Sequence, residues 1–126
     1  GSIMIVLATD APLDARQLER LAARAPLGLA RTGSIGYNES GDFAIAFSTT
    51  NRFPHAPVEA VETALRFNDD AINDLFRATV ESVEEAILNS LVAAETMTGR
   101  DGRTVYAIPL ERLAALLAYY RRVGRD

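Results

Sequence analysis

Two apolar runs limit the possible folds of this chain more than any other feature of its sequence. The runs are Ile3–Ala8 and Phe43–Thr49, and a strand built from either would be apolar on both faces. Such strands belong to sheets that are covered by other layers on both sides. The sequence therefore predicts two β-strands inside a layered α/β structure.

Helical periodicity separates and follows these strands. Apolar residues recur at three- and four-residue steps in three segments, which we predict to be helices: 14–24, with Asp14 as its N-cap, 70–95, and 109–122, with Pro109 in its first turn. A short third strand is expected over Thr104–Ile108. Gly28–Gly41 is rich in Gly, Ser and Asn and is predicted to be a loop.

These elements leave the predicted sheet incomplete. A sheet of only about three strands has open edges, and its apolar faces need further layers. One explanation is that the irregular, proline-containing segment Asn51–Asn68 hides additional strands. The explanation we favour is that another polypeptide completes the sheet, so that residues 1–126 form a single-domain fragment of a two-subunit protein.

Composition argues against several classes of protein. A net charge of −4 does not suit a nucleic-acid partner, because phosphate binding needs a basic face. The chain has no Cys, and its single His, His55, lies in a loop-like segment, so a thiolate or histidine metal site is not expected. No apolar run reaches the roughly 18 residues of a membrane-spanning helix. We expect no metal, no cofactor, no nucleic acid and no membrane partner.

Serines stand just ahead of both predicted strands. Ser2 precedes the first strand, and Ser40-Gly41-Asp42 precedes the second. Taken alone, Gly1-Ser2 is consistent with a cloning remnant, and Ser40-Gly41-Asp42 with an ordinary turn, since all three residues are turn formers. A serine hydroxyl becomes a useful nucleophile only with a base within hydrogen-bond reach.

Four blocks, taken together and in order, give these serines a different interpretation. The blocks are Ser2–Leu13, Gly28–Gly33, Ser40–Asp42 with Ala46–Thr49, and Ala93–Gly102. Through them the chain resembles the serine-nucleophile aminopeptidases, which include the L-aminopeptidase/D-amidase and the β-peptidyl aminopeptidases. The resemblance covers the smaller, β subunit of that family.

The resemblance implies a self-processing enzyme with a four-layer αββα sandwich fold similar to that of N-terminal-nucleophile hydrolases. A precursor would cut itself between Gly1 and Ser2, and Ser2 would become the nucleophile. The expected partners are the larger, α subunit from the same precursor and further copies of the αβ heterodimer. The expected substrates are small peptides, amides or esters that lose an N-terminal L-, D- or β-amino acid through an acyl-enzyme on Ser2.

The resemblance also assigns roles to the second serine block. Ser40 would relay or orient the proton of Ser2, and Asp42 would hold Ser40 and balance the charge. Some family members carry Glu at the position of Asp42, whose side chain is one methylene shorter. While Gly1 is attached, Ser2 has no free amine to act as a base, and Gly1 is either the residue ahead of the cleaved bond or a remnant.

Two other functions stay open at this point. One is a self-cleaving acyltransferase of the ornithine acetyltransferase type, although those enzymes use a threonine nucleophile and this chain has Ser2. The other is a catalytically inactive assembly subunit. The joint presence of Ser2, Ser40 and Asp42 favours an active hydrolase over this inactive subunit.

Overall fold

A computed structural model describes residues 2–123, without the side chains of the last two. Gly1, predicted above to precede the cleaved bond, lies outside the described residues, as does 124–126. The chain divides into two compact units, Gly1–Glu85 and Ala86–Asp126. No helix in the described range is long and apolar enough to cross a membrane.

The two predicted strands are present and pair with each other. Strand β1 covers Met4–Thr9 and strand β2 covers Phe43–Ser48. They run parallel, with register from Met4 opposite Phe43 to Thr9 opposite Ser48. Parallel strands need a crossover connection, which helices supply here. The prediction of a mixed α/β structure is therefore confirmed.

Helix α1 begins as predicted and ends slightly early. It covers Ala15–Ala22, and Asp14 is its N-cap. The Asp14 carboxylate accepts the Gln17 amide at 2.8 Å, and the Gln17 side chain accepts the Asp14 amide at 3.1 Å. This reciprocal capping box satisfies two backbone donors that a helix otherwise leaves unpaired.

The predicted loop over Gly28–Gly41 is wrong in its first part, because helix α2 covers Ala25–Arg31 with a proline in its first turn. Gly28 is buried inside this helix. A Cβ there would lie 2.6 Å from the Val80 carbonyl oxygen and 2.7 Å from the Val83 Cβ. The glycine is therefore a point of close helix approach rather than a helix terminator.

Helix α3 covers Asn73–Ala93, and a short 3-10 turn, Asp69–Ala71, precedes it. Four buried residues from α1, α3 and their flanks form the centre of the core: Leu13, Leu21, Ile72 and Phe76. Leu7 of β1 and Ala46 of β2 pack against this cluster. One face of the parallel pair is thus covered by helices.

The other face of the β1–β2 pair has no cover among the described residues. Five large apolar side chains on it are 46–69% exposed: Met4, Val6, Phe43, Ile45 and Phe47. This face explains the continuous apolar runs, because alternate residues of each strand face opposite sides of the sheet. Soluble proteins rarely leave so large an apolar patch uncovered.

Residues 51–68 contain no strand, so the explanation that this segment hides additional strands is wrong. The segment is a long loop whose ends are held together by one side chain. The Asn51 amide donates to the Leu65 carbonyl at 2.8 Å and accepts from the Leu65 N–H at 2.9 Å. His55 is exposed in this loop, as predicted.

The second unit contains a small hairpin and helix α4. Strands β3, Met97–Thr98, and β4, Thr104–Val105, pair antiparallel, and α4 covers Leu110–Val123. The third predicted strand is thus shorter than Thr104–Ile108. The ladder ends where Val105 pairs with Met97, and beyond it the Ala107 N–H donates to the Thr96 Oγ1 at 3.1 Å.

A polar network joins the start of α1 to the turn before α3. Gln17 is fully buried, and its side-chain amide donates to the Phe67 carbonyl at 2.9 Å and to Asp69 at 2.6 Å. The Arg66 guanidinium contacts Asp14 at 2.8 Å and Asp69 at 3.2 Å. Hydrogen bonds from Arg66 and from the Gln17 amide hold the pKa of Asp14 below its ordinary value of 3.8.

We expect Gly28→Ala to destabilise the folded protein, because the added methyl group collides with backbone and side-chain atoms of α3. Overpacking of this kind typically costs about 1–3 kcal/mol. Denaturant unfolding of the native assembly measures the effect. Ala30→Ser, at an exposed position of the same helix, is the control and should change stability by less than about 0.5 kcal/mol. Equal stability of the two variants would contradict the close packing.

Arg66→Gln should make stability less sensitive to acid. A carboxylate with a depressed folded pKa contributes stability above its unfolded pKa, and this contribution is lost as the pH falls through the folded pKa. Wild type should therefore lose more stability than Arg66→Gln between about pH 5 and pH 3. Thermal melts across that range measure the difference.

The control for this experiment is Arg77→Gln, since Arg77 is exposed and makes no ion pair with any residue that the structure describes. Its acid sensitivity should match wild type. If Arg66→Gln follows the same curve as wild type, the Arg66–Asp14 contact does not affect acid stability.

Candidate active site

The parallel register of β1 and β2 brings the two serine blocks together. Because the strands are parallel, both begin at the same end of the sheet. The residues that precede them lie side by side in the same register. Ser2 lies beside Gly41 and Ile3 beside Asp42, each pair separated by 39 residues in the sequence. Met4 and Phe43, the first ladder pair, continue this alignment. The candidate site is thus an extension of the sheet.

Backbone amides make the contacts between the two blocks. The Gly41 N–H donates to the Ser2 Oγ at 3.0 Å. The Ile3 N–H donates to the Asp42 Oδ1 at 3.2 Å, and the Phe43 N–H donates to the Ile3 carbonyl at 3.0 Å. The hydroxyl of Ser2 is therefore held at a defined place, and its residue is exposed.

Ser40 and Asp42 form a hydrogen-bonded pair next to this contact. The Ser40 hydroxyl donates to the Asp42 Oδ1 at 2.9 Å, and both residues are half-buried. The Ser40 N–H donates to the Tyr37 carbonyl at 2.8 Å, which fixes the turn. A hydroxyl has a single proton to donate, and Ser40 donates its proton in the hydrogen bond to the Asp42 carboxylate. Toward other neighbours the Ser40 oxygen is consequently an acceptor.

The short side chain of Asp42 reaches its partners. A single oxygen, Oδ1, accepts both the Ser40 hydroxyl and the Ile3 amide. The same carboxylate thus ties the second serine block to the residue that follows Ser2. Bonds to a carboxylate are stronger than bonds between neutral groups, so this is the strongest contact type in the cluster.

The structure therefore brings Ser2, Ser40 and Asp42 into one cluster, and the roles assigned to them by resemblance stay predictions. Within the part of the chain that the structure describes, no group of three or more His, Cys, Asp or Glu side chains could hold a metal ion.

Sequence reasoning missed the two backbone donors of this cluster, the N–H groups of Gly41 and Ile3. Backbone amides leave no residue-type signal. Ser2 and Gly41, Ile3 and Asp42, and the strand pair Met4 and Phe43 are all 39 residues apart. Parallel pairing of the two strands in this register would therefore have predicted both donors.

The match to a known family spans most of the chain. Residues 1–105 match the model for Peptidase family S58, and the chain belongs to this family. Among curated relatives, the beta-peptidyl aminopeptidase BapA of Sphingosinicella xenopeptidilytica is 46% identical over 118 residues, which are 93% of this chain and 29% of the relative.

Solved structures confirm the fold. The L-aminopeptidase D-Ala-esterase/amidase of Ochrobactrum anthropi, described as a prototype of the serine aminopeptidases and a new variant of the Ntn hydrolase fold, has a TM-score of 0.88 and 45% identity, covering 96% of this chain and 34% of that structure. The PH0078 protein of Pyrococcus horikoshii OT3 has a TM-score of 0.86 and 53% identity, covering 95% and 34%. This chain spans about a third of the length of the relatives it matches.

Proposed function

We propose that this chain is the nucleophile-bearing smaller subunit of a self-processing serine aminopeptidase. The observation that carries the proposal is the position of the Ser2 hydroxyl, held by the Gly41 amide beside the Ser40–Asp42 pair. Membership of Peptidase family S58 and the aminopeptidase names of two relatives support it.

The proposed reaction begins with attack of the Ser2 Oγ on the carbonyl carbon of the substrate's N-terminal residue. The Oγ proton moves toward the Ser40 oxygen or the free amine of Ser2, and a tetrahedral intermediate forms. The C–N bond then breaks, the leaving amine takes up a proton, and an acyl-enzyme on Ser2 remains. Water attacks the ester, the C–Oγ bond breaks, and Ser2 regains its proton.

Asp42 supports this proton movement without being the base that contacts the substrate. Its carboxylate accepts the Ser40 hydroxyl and so orients the Ser40 lone pairs. If Ser40 takes a proton from Ser2, it can pass its own proton to Asp42. This arrangement has the nucleophile–base–orienter logic of a catalytic triad, with a hydroxyl in the middle position.

The same hydroxyl would carry out self-processing. In a precursor, the Ser2 Oγ attacks the carbonyl carbon of Gly1, the Gly1–Ser2 C–N bond breaks, and an ester forms. Breakage of the C–N bond frees the amine of Ser2, and hydrolysis of the ester then releases the upstream chain as a Gly1 carboxylate and restores the Ser2 hydroxyl. An α-amino group has a pKa of about 7.7–8.0, so it can accept a proton near neutral pH.

A larger subunit from the same precursor is the proposed partner. The relatives are about three times as long as this chain, which leaves room for it. The exposed sheet face of Met4, Val6 and Phe43 is where such a subunit would add the missing layer of the αββα sandwich. Heterodimers of this kind would then assemble into a larger oligomer.

The proposed substrates are small peptides, amides or esters with a free N-terminal amine. One relative is named for β-peptides, and another for L-amino acid and D-alanine derivatives.

Ser2→Ala should abolish both precursor cleavage and substrate hydrolysis, because both need the same oxygen. Electrophoresis of the full-length precursor measures the first activity, and release of p-nitroaniline from α- and β-aminoacyl p-nitroanilides measures the second. Labelling of wild type at Ser2 by a serine-reactive acylating probe is the positive control. Turnover retained by Ser2→Ala would exclude Ser2 as the nucleophile.

Ser40→Ala should slow acylation by about 10²-fold or more, since loss of a proton-transfer group typically costs this much. Ser34→Ala in the same loop is the matched control, because the only side-chain hydrogen bond of Ser34 within the described residues is a long one, accepted from the Gly36 amide at 3.4 Å. Pre-steady-state kinetics with the same anilides measure acylation. If Ser40→Ala is acylated at the wild-type rate, Ser40 takes no part in proton transfer and is only a turn residue.

A further inference from the structure

The Gly41 N–H donates to the Ser2 Oγ, the atom of this chain that becomes acylated in the proposed reaction. We propose that this amide is a catalytic group that stabilises negative charge on the Ser2 Oγ itself, both as nucleophile and as leaving group. The inference rests on the proposed function. It adds a backbone donor to the side chains of Ser40 and Asp42.

The chain itself makes this contact. At 3.0 Å the amide donates to the Ser2 Oγ, so it is aimed at the nucleophile's oxygen rather than at a carbonyl oxygen of the substrate. A hydroxyl oxygen has two lone pairs and one proton. The amide occupies one lone pair, which fixes the directions left for the proton and for the attacking electron pair.

The same hydrogen bond becomes stronger when charge develops on the oxygen. A donor facing an ionised oxygen is roughly twice as strong as one facing a neutral oxygen. Charge grows on the Ser2 Oγ as its proton leaves during acylation. It grows again during deacylation, when the C–Oγ bond breaks after water has attacked. A fixed donor that binds these states better than the neutral hydroxyl lowers both barriers.

The space around residue 41 admits a small side chain. Gly33 and Gly36 have a positive φ, which favours glycine, but Gly41 does not. A Cβ on residue 41 would lie 3.5 Å from the Ser2 Oγ and 3.8 Å from the Phe43 ring. Both distances are ordinary van der Waals contacts, so the added methyl group of Gly41→Ala is expected to fit without displacing the Ser2 Oγ.

Self-cleavage uses the same oxygen, so the amide should act on it too. When the Ser2 Oγ attacks Gly1, charge develops on the same atom, beside the same donor. The inference therefore predicts that precursor cleavage and substrate hydrolysis decline together when the donor is removed.

The test compares Gly41→Pro with Gly41→Ala. Both variants add a Cβ beside Ser2, but only Gly41→Pro removes the N–H. We expect Gly41→Pro to be slower than Gly41→Ala by about 10²–10³-fold in precursor cleavage and in kcat, the usual cost of losing one donor to a developing charge. KM for the p-nitroanilides should change little between the two. Equal rates in the two variants would overturn the inference.

The failure of this inference and that of the proposed function give different results. If Ser2→Ala stays active, the proposed function fails, whatever the Gly41 variants do. If Ser2→Ala is inactive and the two Gly41 variants are equally active, only the role of the amide fails.

A second measurement decides the question if Gly41→Pro does not fold. A crystal structure of wild-type enzyme acylated on Ser2 should show the Gly41 nitrogen within about 3.2 Å of the ester oxygen Oγ. A nitrogen turned away from Oγ, or bonded to the acyl carbonyl oxygen, would overturn the inference.

Discussion

The parallel register of β1 and β2 is the constraint on which the candidate site depends. Ser2 meets Gly41 and Ile3 meets Asp42 only because Met4 pairs with Phe43. A slip by one residue would place Ser2 beside a different residue and turn every side chain of one strand to the opposite face. The helix-covered face opposes such a slip, because Leu7 of β1 and Ala46 of β2 pack against the core cluster there.

Under the proposed function, the uncovered face would give that register a second source of stability through packing of the larger subunit. Met4, Val6 and three apolar residues of β2 lie exposed on it. Burial of apolar area stabilises by roughly 25 cal/mol per Å², so a layer packed there would hold both strands in place. Under the proposed function, the geometry around Ser2 and assembly with the larger subunit are therefore coupled, since one sheet serves both.

Strong local signals were enough to predict most of the fold. The apolar runs located β1 and β2, and Asp14 marked the start of α1. Helix α2 was missed because Gly28 reads as a loop residue, and its reason for being glycine is a contact with Val80 that is distant in the sequence. The cluster of Ser2, Ser40 and Asp42 was predicted through resemblance. The Gly41 amide was not, because a backbone donor can belong to any residue type except proline.

A proton relay made only of hydroxyl groups lacks a strong base, and self-processing would supply one. Neither Ser2 nor Ser40 is a base by itself, and Asp42 already accepts two hydrogen bonds through one oxygen. In the proposed precursor, the nitrogen of Ser2 belongs to an amide and cannot take a proton, so cleavage would depend on the Ser40–Asp42 pair and on the Gly41 donor. Cleavage then frees an amine next to the same oxygen. The first reaction would thus create the base that makes repeated turnover faster than the single event that produced it.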